Sequence, residues 1–368
     1  MPRIKLINQR FPRKIKFDTE VSILYTNGFL NNKVDFLFHR DIFLNHHTHI
    51  YIDKEDNQTV KSYDADVDYK IGDIVAVVGE FFEREELIDS VQKRRDKIEA
   101  VSLIDGKKKE IETGRIVMKD RFVDSCGMAS HYISDKVIEK AYLEFFERQC
   151  FIYSFLSKEK AEKIDVKLFC KCKKKDFYLK NYVDRIEYYN ISLDEEVFVI
   201  LALGYGKRKK AIGMGTETDI EKAIDKSQNE MLQNFAAECS KSNFADIGWE
   251  KTQLEDRDMY DKLFVKMSLN QFEEEYRYLE SEKKRSAIQP QKRFDLYEFI
   301  LKMKKVYGME PYVCFLPSRR IGVKVIKIID FCWFPHMYPK YYAAQIFDFV
   351  ENATGKKLMR DIDFIPFP

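Results

Sequence analysis

Glu80-Phe81-Phe82-Glu83-Arg84 recurs, letter for letter, as Glu144-Phe145-Phe146-Glu147-Arg148. Self-similarity of this kind marks related structural units. Laying Glu230 on Glu144 extends the series, with Ile224 on Ile138, Lys226 on Lys140 and Gln233 on Glu147. Residues three apart share a helix face. Glu80 with Glu83, Glu144 with Glu147, and Glu230 with Gln233 therefore each present a close pair of oxygen ligands in one direction. Such pairs suit Mg2+, a hard cation that takes oxygen ligands in an octahedron and bridges to nucleotide phosphates. An isolated E-x-x-E-R is ordinarily a solvated acidic face with a local ion pair. Repetition and setting point elsewhere: Glu80 follows Val75-Ala-Val-Val-Gly79 and is interleaved with Phe81 and Phe82. The carboxylates are thus expected at a buried or cleft position, where a bare charge is costly unless a cation satisfies it.

Glycine-containing segments precede two of these helices, Asp124-Ser-Cys-Gly-Met-Ala-Ser130 before the second and Ala211-Ile-Gly-Met-Gly-Thr216 before the third. Read as turns, they would place Gly127, Gly213 and Gly215 where backbone can approach a phosphate at a helix amino terminus. Ordinary turns use the same residues, so that alternative stands beside the functional one.

The elements that must position these groups follow from periodicity. Short β-prone runs at Val21 to Tyr25, Val34 to Phe38 and His49 to Ile52, with turns such as Asn27-Gly28, predict a β-rich segment over residues 1–60. Residues 61–368 are expected to form the main domain. Helical spacing appears between Tyr69 and Val91, from Ser134 to Leu156 and from about Asp219 to Cys239. Strand signals fall at Ile98 to Ile104, Ile116 to Val123, Val197 to Leu203, Tyr312 to Phe315 and Val323 to Phe331. A highly charged helical stretch covers Glu250 to Tyr307, broken at Ser286 to Pro290, and an irregular tail closes the chain. The expected class is α+β, with β-sheets flanked by helices.

With 368 residues, 45% of them hydrophobic, the chain can bury a substantial core. Its formal charge of +2 gives no global field toward nucleic acid or an anionic membrane. No apolar run is long enough for a signal peptide or a membrane span, so a cytoplasmic protein is expected. The seven cysteines are scattered without C-x-x-C spacing and are expected as reduced thiols.

With these motifs in view, the sequence resembles the YcaO family from about Tyr69 to Pro368. Within it, the Cys126-Gly-Met-Ala-Ser-His131 segment and Glu144-Phe-Phe-Glu-Arg-Gln149 are most similar to the cyclodehydratase subunit of microcin B synthetases. The resemblance implies a fold with three related acidic-motif helices around an ATP site, and ATP and Mg2+ as cofactors. It implies Glu80, Glu83, Glu144, Glu147 and Glu230 as metal and nucleotide ligands, with Gln233 beside them and Arg148 facing the phosphates. The end of the sequence, Ile365-Pro366-Phe367-Pro368, fits a family tail that inserts a terminal carboxylate, here that of Pro368, into the active site. Without the family it is simply an extended end. Two departures stand out: Ala76 replaces a hydroxyl residue common one turn before Glu80, and the tail has two prolines rather than a longer alternating run.

The implied reaction converts Cys, Ser or Thr of a ribosomal precursor peptide to an azoline at the expense of ATP. A leader-binding partner resembling ubiquitin-activating enzymes would be required, and oxidation to an azole would call for a separate flavin-dependent azoline dehydrogenase. A thioamide-forming enzyme and a nucleotide-free scaffold subunit are the alternatives. His46, His47 and His49 are expected in a strand rather than at a metal, for want of further ligands nearby. The basic runs Lys171 to Lys175 and Lys207 to Lys210 are expected as solvated loops, not nucleic-acid contacts.

Overall fold

The computed structural model describes residues 21–25, 34–39, 46–52, 60–66, 76, 79–80, 82–84, 86, 96–117, 125–180, 183–206, 210–241, 259–280, 284–285, 294–316, 323–363 and 365–367. Among them run three sheets. The first is an antiparallel meander of β1 (Val21–Tyr25), β2 (Val34–His39), β3 (His46–Ile52) and β4 (Val60–Asp66). It runs past the border expected at residue 60. His46, His47 and His49 lie in β3, in register with Asp66, Ala65 and Tyr63 of β4.

The third sheet has the order β6-β5-β13-β14-β7, built from β5 (Lys97–Ser102), β6 (Lys108–Glu112), β7 (Met128–His131), β13 (Tyr312–Leu316) and β14 (Lys324–Ile329). The second has the order β11-β10-β9-β8-β12, from β8 (Glu162–Ile164), β9 (Arg185–Asn190), β10 (Phe198–Tyr205), β11 (Lys210–Glu217) and the short β12 (Lys284–Arg285). Every residue of β10 is buried, as expected of a strand covered on both faces.

Among the described residues, the helices with defined bounds are α1 (Gly114–Val117), α2 (Ser134–Ser157), α3 (Cys172–Leu179), α4 (Ile220–Lys241), α5 (Met259–Lys266), α6 (Leu269–Tyr276), α7 (Leu296–Tyr307) and α8 (Ala344–Thr354). Helix α2 is the central post: it touches β7 and β14 of one sheet and β11 of the other. Its aromatic residues Tyr142, Phe145, Phe146, Phe151 and Phe155 are all buried, so the helix is apolar around most of its girth and belongs in a core. Helix α4 lies on β11, β10 and β4. Residues 76, 79, 80 and 82–84 are helical, as the spacing of the first acidic motif predicts.

Four expectations are corrected. Gly213 and Gly215 are not in a turn but within β11. A Cβ on Gly213 would stand 2.2 Å from the Ser227 carbonyl oxygen, and one on Gly215 would stand 2.1 Å from that of Ala223. Their lack of a side chain lets α4 press directly onto the strand. Part of the strand expected from Ile116 is instead the helical turn α1, and the rest lies outside the described residues. The basic run Lys171 to Lys175 enters α3 rather than a loop; Lys175 is buried and ion-paired with Asp225 at 2.7 Å. The closing region is not irregular throughout, since α8 carries Phe347 and Val350 into the core.

Candidate active site

The acidic motifs meet around α2, where β11, α4, β7 and the first acidic turn approach it. Glu147 is buried, and its Oε2 accepts a 2.7 Å hydrogen bond from the Thr216 hydroxyl at the end of β11. Glu230 on α4 accepts from the backbone N–H of Met214. Because β11 is an edge strand, its outward backbone groups need partners. Helix α4 supplies them: Glu230 takes the Met214 N–H, Asn234 donates to the Ile212 carbonyl at 2.9 Å, and Lys226 donates to the Thr216 carbonyl at 3.2 Å. The acidic residue of the third motif is thereby fixed to the sheet.

Arg148 reaches from α2 toward α4, with Nη2 3.9 Å from Glu230 Oε1. Its guanidinium lies 5.0 Å from the centre of the Phe367 ring. Its Nε is buried with no hydrogen-bond partner among the described residues. Burial works against the arginine's charge, but Cys126 and the carboxyls of Glu147, Glu230 and Glu144 more than offset it and hold the guanidinium pKa above its usual value.

In the first motif, Glu80 is ion-paired with Arg84 at 2.5 Å within its own turn. The Ser130 hydroxyl of β7 donates to the Gly79 carbonyl at 3.0 Å and so ties this turn to the third sheet. Burial pushes the Glu83 carboxyl up to about 7; Lys140 and hydrogen bonds from Ser130 oppose the shift, and Glu80 adds to it. Burial likewise raises Glu144 well above the carboxylate range, with Arg148 opposing and Glu83 and Glu147 reinforcing. Glu230 is pushed up to about 7 by burial, against Arg148, with Glu147 and Glu80 adding repulsion. These mutual repulsions link all five glutamates of the three motifs into one cluster. Gln233 is half-buried on α4, one turn beyond Glu230.

Among the described residues no three His, Cys, Asp or Glu side chains form a ready-made metal centre. The donor set nonetheless fits Mg2+ and a phosphate chain. Crowded, desolvated carboxyls hold protons that a divalent cation would displace. A buried guanidinium N–H without a partner is a donor waiting for an anion. Gly127 has φ +71°, and a Cβ there would meet the Ile328 carbonyl oxygen at 2.6 Å, so its glycine is required by the turn into β7 against β14. Pro368 lies outside the described residues; Ile365, Pro366 and Phe367 are described and buried, and the Phe367 ring packs against the Arg148 guanidinium.

Sequence reasoning missed Thr216, the Met214 amide, Ser130 as a partner of Glu83, and Lys140. Ser130 and Thr216 end the two glycine segments already singled out. Only the pairing of strands with helices reveals what their hydroxyls touch.

A sequence profile described as YcaO cyclodehydratase, ATP- and Mg2+-binding, matches residues 60–329. A comparison of the sequence with curated proteins finds no match. Among solved structures, a chain of the E. coli microcin synthetase McbBCD complex with pro-MccB17 bound superposes with a TM-score of 0.70 at 16% identity, covering 94% of this chain and 100% of that one. YcaO from Methanopyrus kandleri, bound with AMPPCP and Mg2+, gives a TM-score of 0.60 at 13% identity over 77% of this chain and 81% of the other. A heterocyclase in complex with substrate and cofactor gives 0.60 at 14% identity, over 88% and 53%. A profile match spanning most of the sequence establishes that this chain belongs to the YcaO family of ATP- and Mg2+-binding cyclodehydratases.

Proposed function

We propose that this chain is an ATP-dependent cyclodehydratase that converts Cys, Ser or Thr of a ribosomal precursor peptide to thiazoline or oxazoline. The observation that carries the reading is Arg148: a largely buried guanidinium whose Nε–H has no partner among the described residues, with Glu144, Glu147 and Glu230 around it and the Phe367 ring of the tail against it. In the proposed reaction the peptide's side-chain sulfur or oxygen adds to the preceding amide carbon, and its proton leaves. The former carbonyl oxygen takes the terminal phosphoryl group of ATP, releasing ADP. Phosphate then departs as the carbon–nitrogen double bond forms and the nitrogen gives up its proton.

Mg2+ would be held by Glu80, Glu83, Glu144, Glu147 and Glu230 and would neutralise charge on the phosphates. Arg148 would donate to the phosphoryl oxygens, where a fixed guanidinium needs no reorganisation as charge moves. Glu147 is oriented for its part by Thr216, and Glu230 by the Met214 amide. The Pro368 carboxylate is the candidate base for the departing protons. A tail packed at the arginine favours attack by the peptide's own side chain over delivery of external sulfur, as a thioamide-forming enzyme would require.

The E. coli neighbour is a synthetase complex with a pro-peptide bound, which supports looking for a precursor peptide and partner subunits here. The expected partners are a leader-binding protein like ubiquitin-activating enzymes and, for azole products, a flavin-dependent azoline dehydrogenase. Calorimetry of Mg·ATP binding to the wild-type chain and to the double variant Glu144→Gln, Glu147→Gln tests the reading. Binding confined to the wild type supports it. No binding by either, with or without the partner, would favour a scaffold subunit.

A further inference from the structure

We infer that Tyr276 is a positioning residue that latches the tail segment onto the Arg148 site; the role rests on the functional reading above and deepens it. Tyr276 ends α6, a helix whose start is fixed by a capping box between Ser268 and Gln271. The tyrosine is buried, and its hydroxyl donates to the Pro366 carbonyl at 2.8 Å. The next amide of the tail, that of Phe367, donates back to the Ile365 carbonyl at 2.7 Å, a γ-type turn centred on Pro366. Proline has no N–H. The Tyr276 hydroxyl therefore completes the polar accounting of this turn, taking the carbonyl that the turn itself leaves over.

What makes the latch more than a satisfied tyrosine is the surface it works against. Arg148, Phe151 and Phe155 are spaced by three and four along α2 and so form one stripe. Phe155 packs edge-on against the Tyr276 ring at 5.9 Å, Phe151 meets the Phe367 ring at 5.1 Å, and the Arg148 guanidinium stands 5.0 Å from that same ring. Phe272, one turn back on α6, also packs against the Tyr276 ring at 5.1 Å. One face of α2 thus aligns latch, tail and arginine in that order. The hydroxyl grips the chain one residue before the aromatic ring that covers Arg148 and two before the Pro368 carboxylate.

The test is a double-mutant cycle between Tyr276→Phe and a chain shortened to end at Pro366, with azoline formation followed in the presence of partner and peptide. Tyr276→Phe keeps the ring and removes the grip. In the full chain it is expected to lower kcat about tenfold with KM for ATP unchanged, the scale of one buried hydrogen bond. In the shortened chain it should lower kcat no further. A kcat within about twofold of wild type, or the same fractional loss in both chains, would overturn the inference. Carboxypeptidase trimming followed by intact mass gives a readout that needs no activity: the latch predicts that Phe367 is released several-fold faster from Tyr276→Phe than from wild type. Equal trimming would overturn the latch. A wild-type chain that forms no azoline would defeat the functional reading while leaving the trimming result to decide on the latch alone.

Discussion

Arg84 and Arg148 end identical pentapeptides, yet Arg84 closes an ion pair inside its own turn, with 36% of its side chain exposed, while Arg148 is 16% exposed and reaches to another helix. The first pair is of a kind worth about 0–1 kcal/mol in water. The second arginine keeps a buried N–H without a partner among the described residues, at a cost of roughly 1–3 kcal/mol. The same five letters therefore specify a partly exposed local ion pair in one place and, in the other, a buried N–H without a partner among the described residues. The difference lies in what surrounds them: α2 stands between two sheets, and among the described residues its arginine faces Glu230 of α4, Cys126, the tail and the glutamates of its own helix.

The sharpest way to break this comparison is to change both arginines. Arg148→Lys is expected to lower peptide-dependent phosphate release by about a thousandfold, within the range seen when a charge-stabilising donor is lost from a phosphoryl-transfer site. Steady-state kinetics with the partner present would measure it, and an effect under tenfold would strip Arg148 of its assigned role.

A second difference concerns titration. Glu83, buried to a pKa of about 7 against a reference of 4.5, binds its proton more tightly folded than unfolded. Stability of the nucleotide-free chain is therefore fully present below about pH 4.5 and falls as pH rises toward 7. Glu83→Gln, which cannot ionise, should match wild type near pH 4.5 and exceed it by up to about 3 kcal/mol at pH 8 in urea unfolding. It should also weaken Mg·ATP. A variant no more stable than wild type at pH 8 would mean the carboxyl is better solvated than its surroundings indicate.

Thr216→Val removes the 2.7 Å hydrogen bond to Glu147 and leaves a buried carboxylate oxygen short of a partner. A loss of about 1–2 kcal/mol is expected, with a several-fold drop in kcat. The smallest effect belongs to Arg84→Ala, where a stability change under about 1 kcal/mol and activity within a few-fold of wild type are expected. An Arg84 variant as impaired as Arg148→Lys would erase the distinction between the two motifs.

The chemistry-bearing helices were legible because a repeated pentapeptide is rare by chance and its spacing of three reports a helix face directly. The expected Ser134 to Leu156 and Asp219 to Cys239 helices agree with the observed α2 and α4 to within two residues at either end. The glycines of β11 were not legible in the same way. A glycine needed because a helix axis crosses a strand closely looks, in sequence, the same as one needed for a turn. The basic run at Lys171 misled for a related reason: Lys175 is buried where Asp225 and Asn229 of α4 meet it, contacts set by tertiary packing. Lone tyrosines such as Tyr276 carry no local signature of what their hydroxyls will meet.

The glycine interface between β11 and α4 limits how the site can be adjusted. Most helix–sheet contacts are cushioned by side chains whose size can be traded to shift a helix by a fraction of an ångström. At Gly213 and Gly215 the backbones meet with nothing between them, so no substitution there can retune the spacing and any added carbon must force it open. Glu230 consequently inherits its position from the sheet itself. Divergence in this site should be found in the groups that α2 and the tail present, because the wall that carries the third acidic motif has no dial to turn.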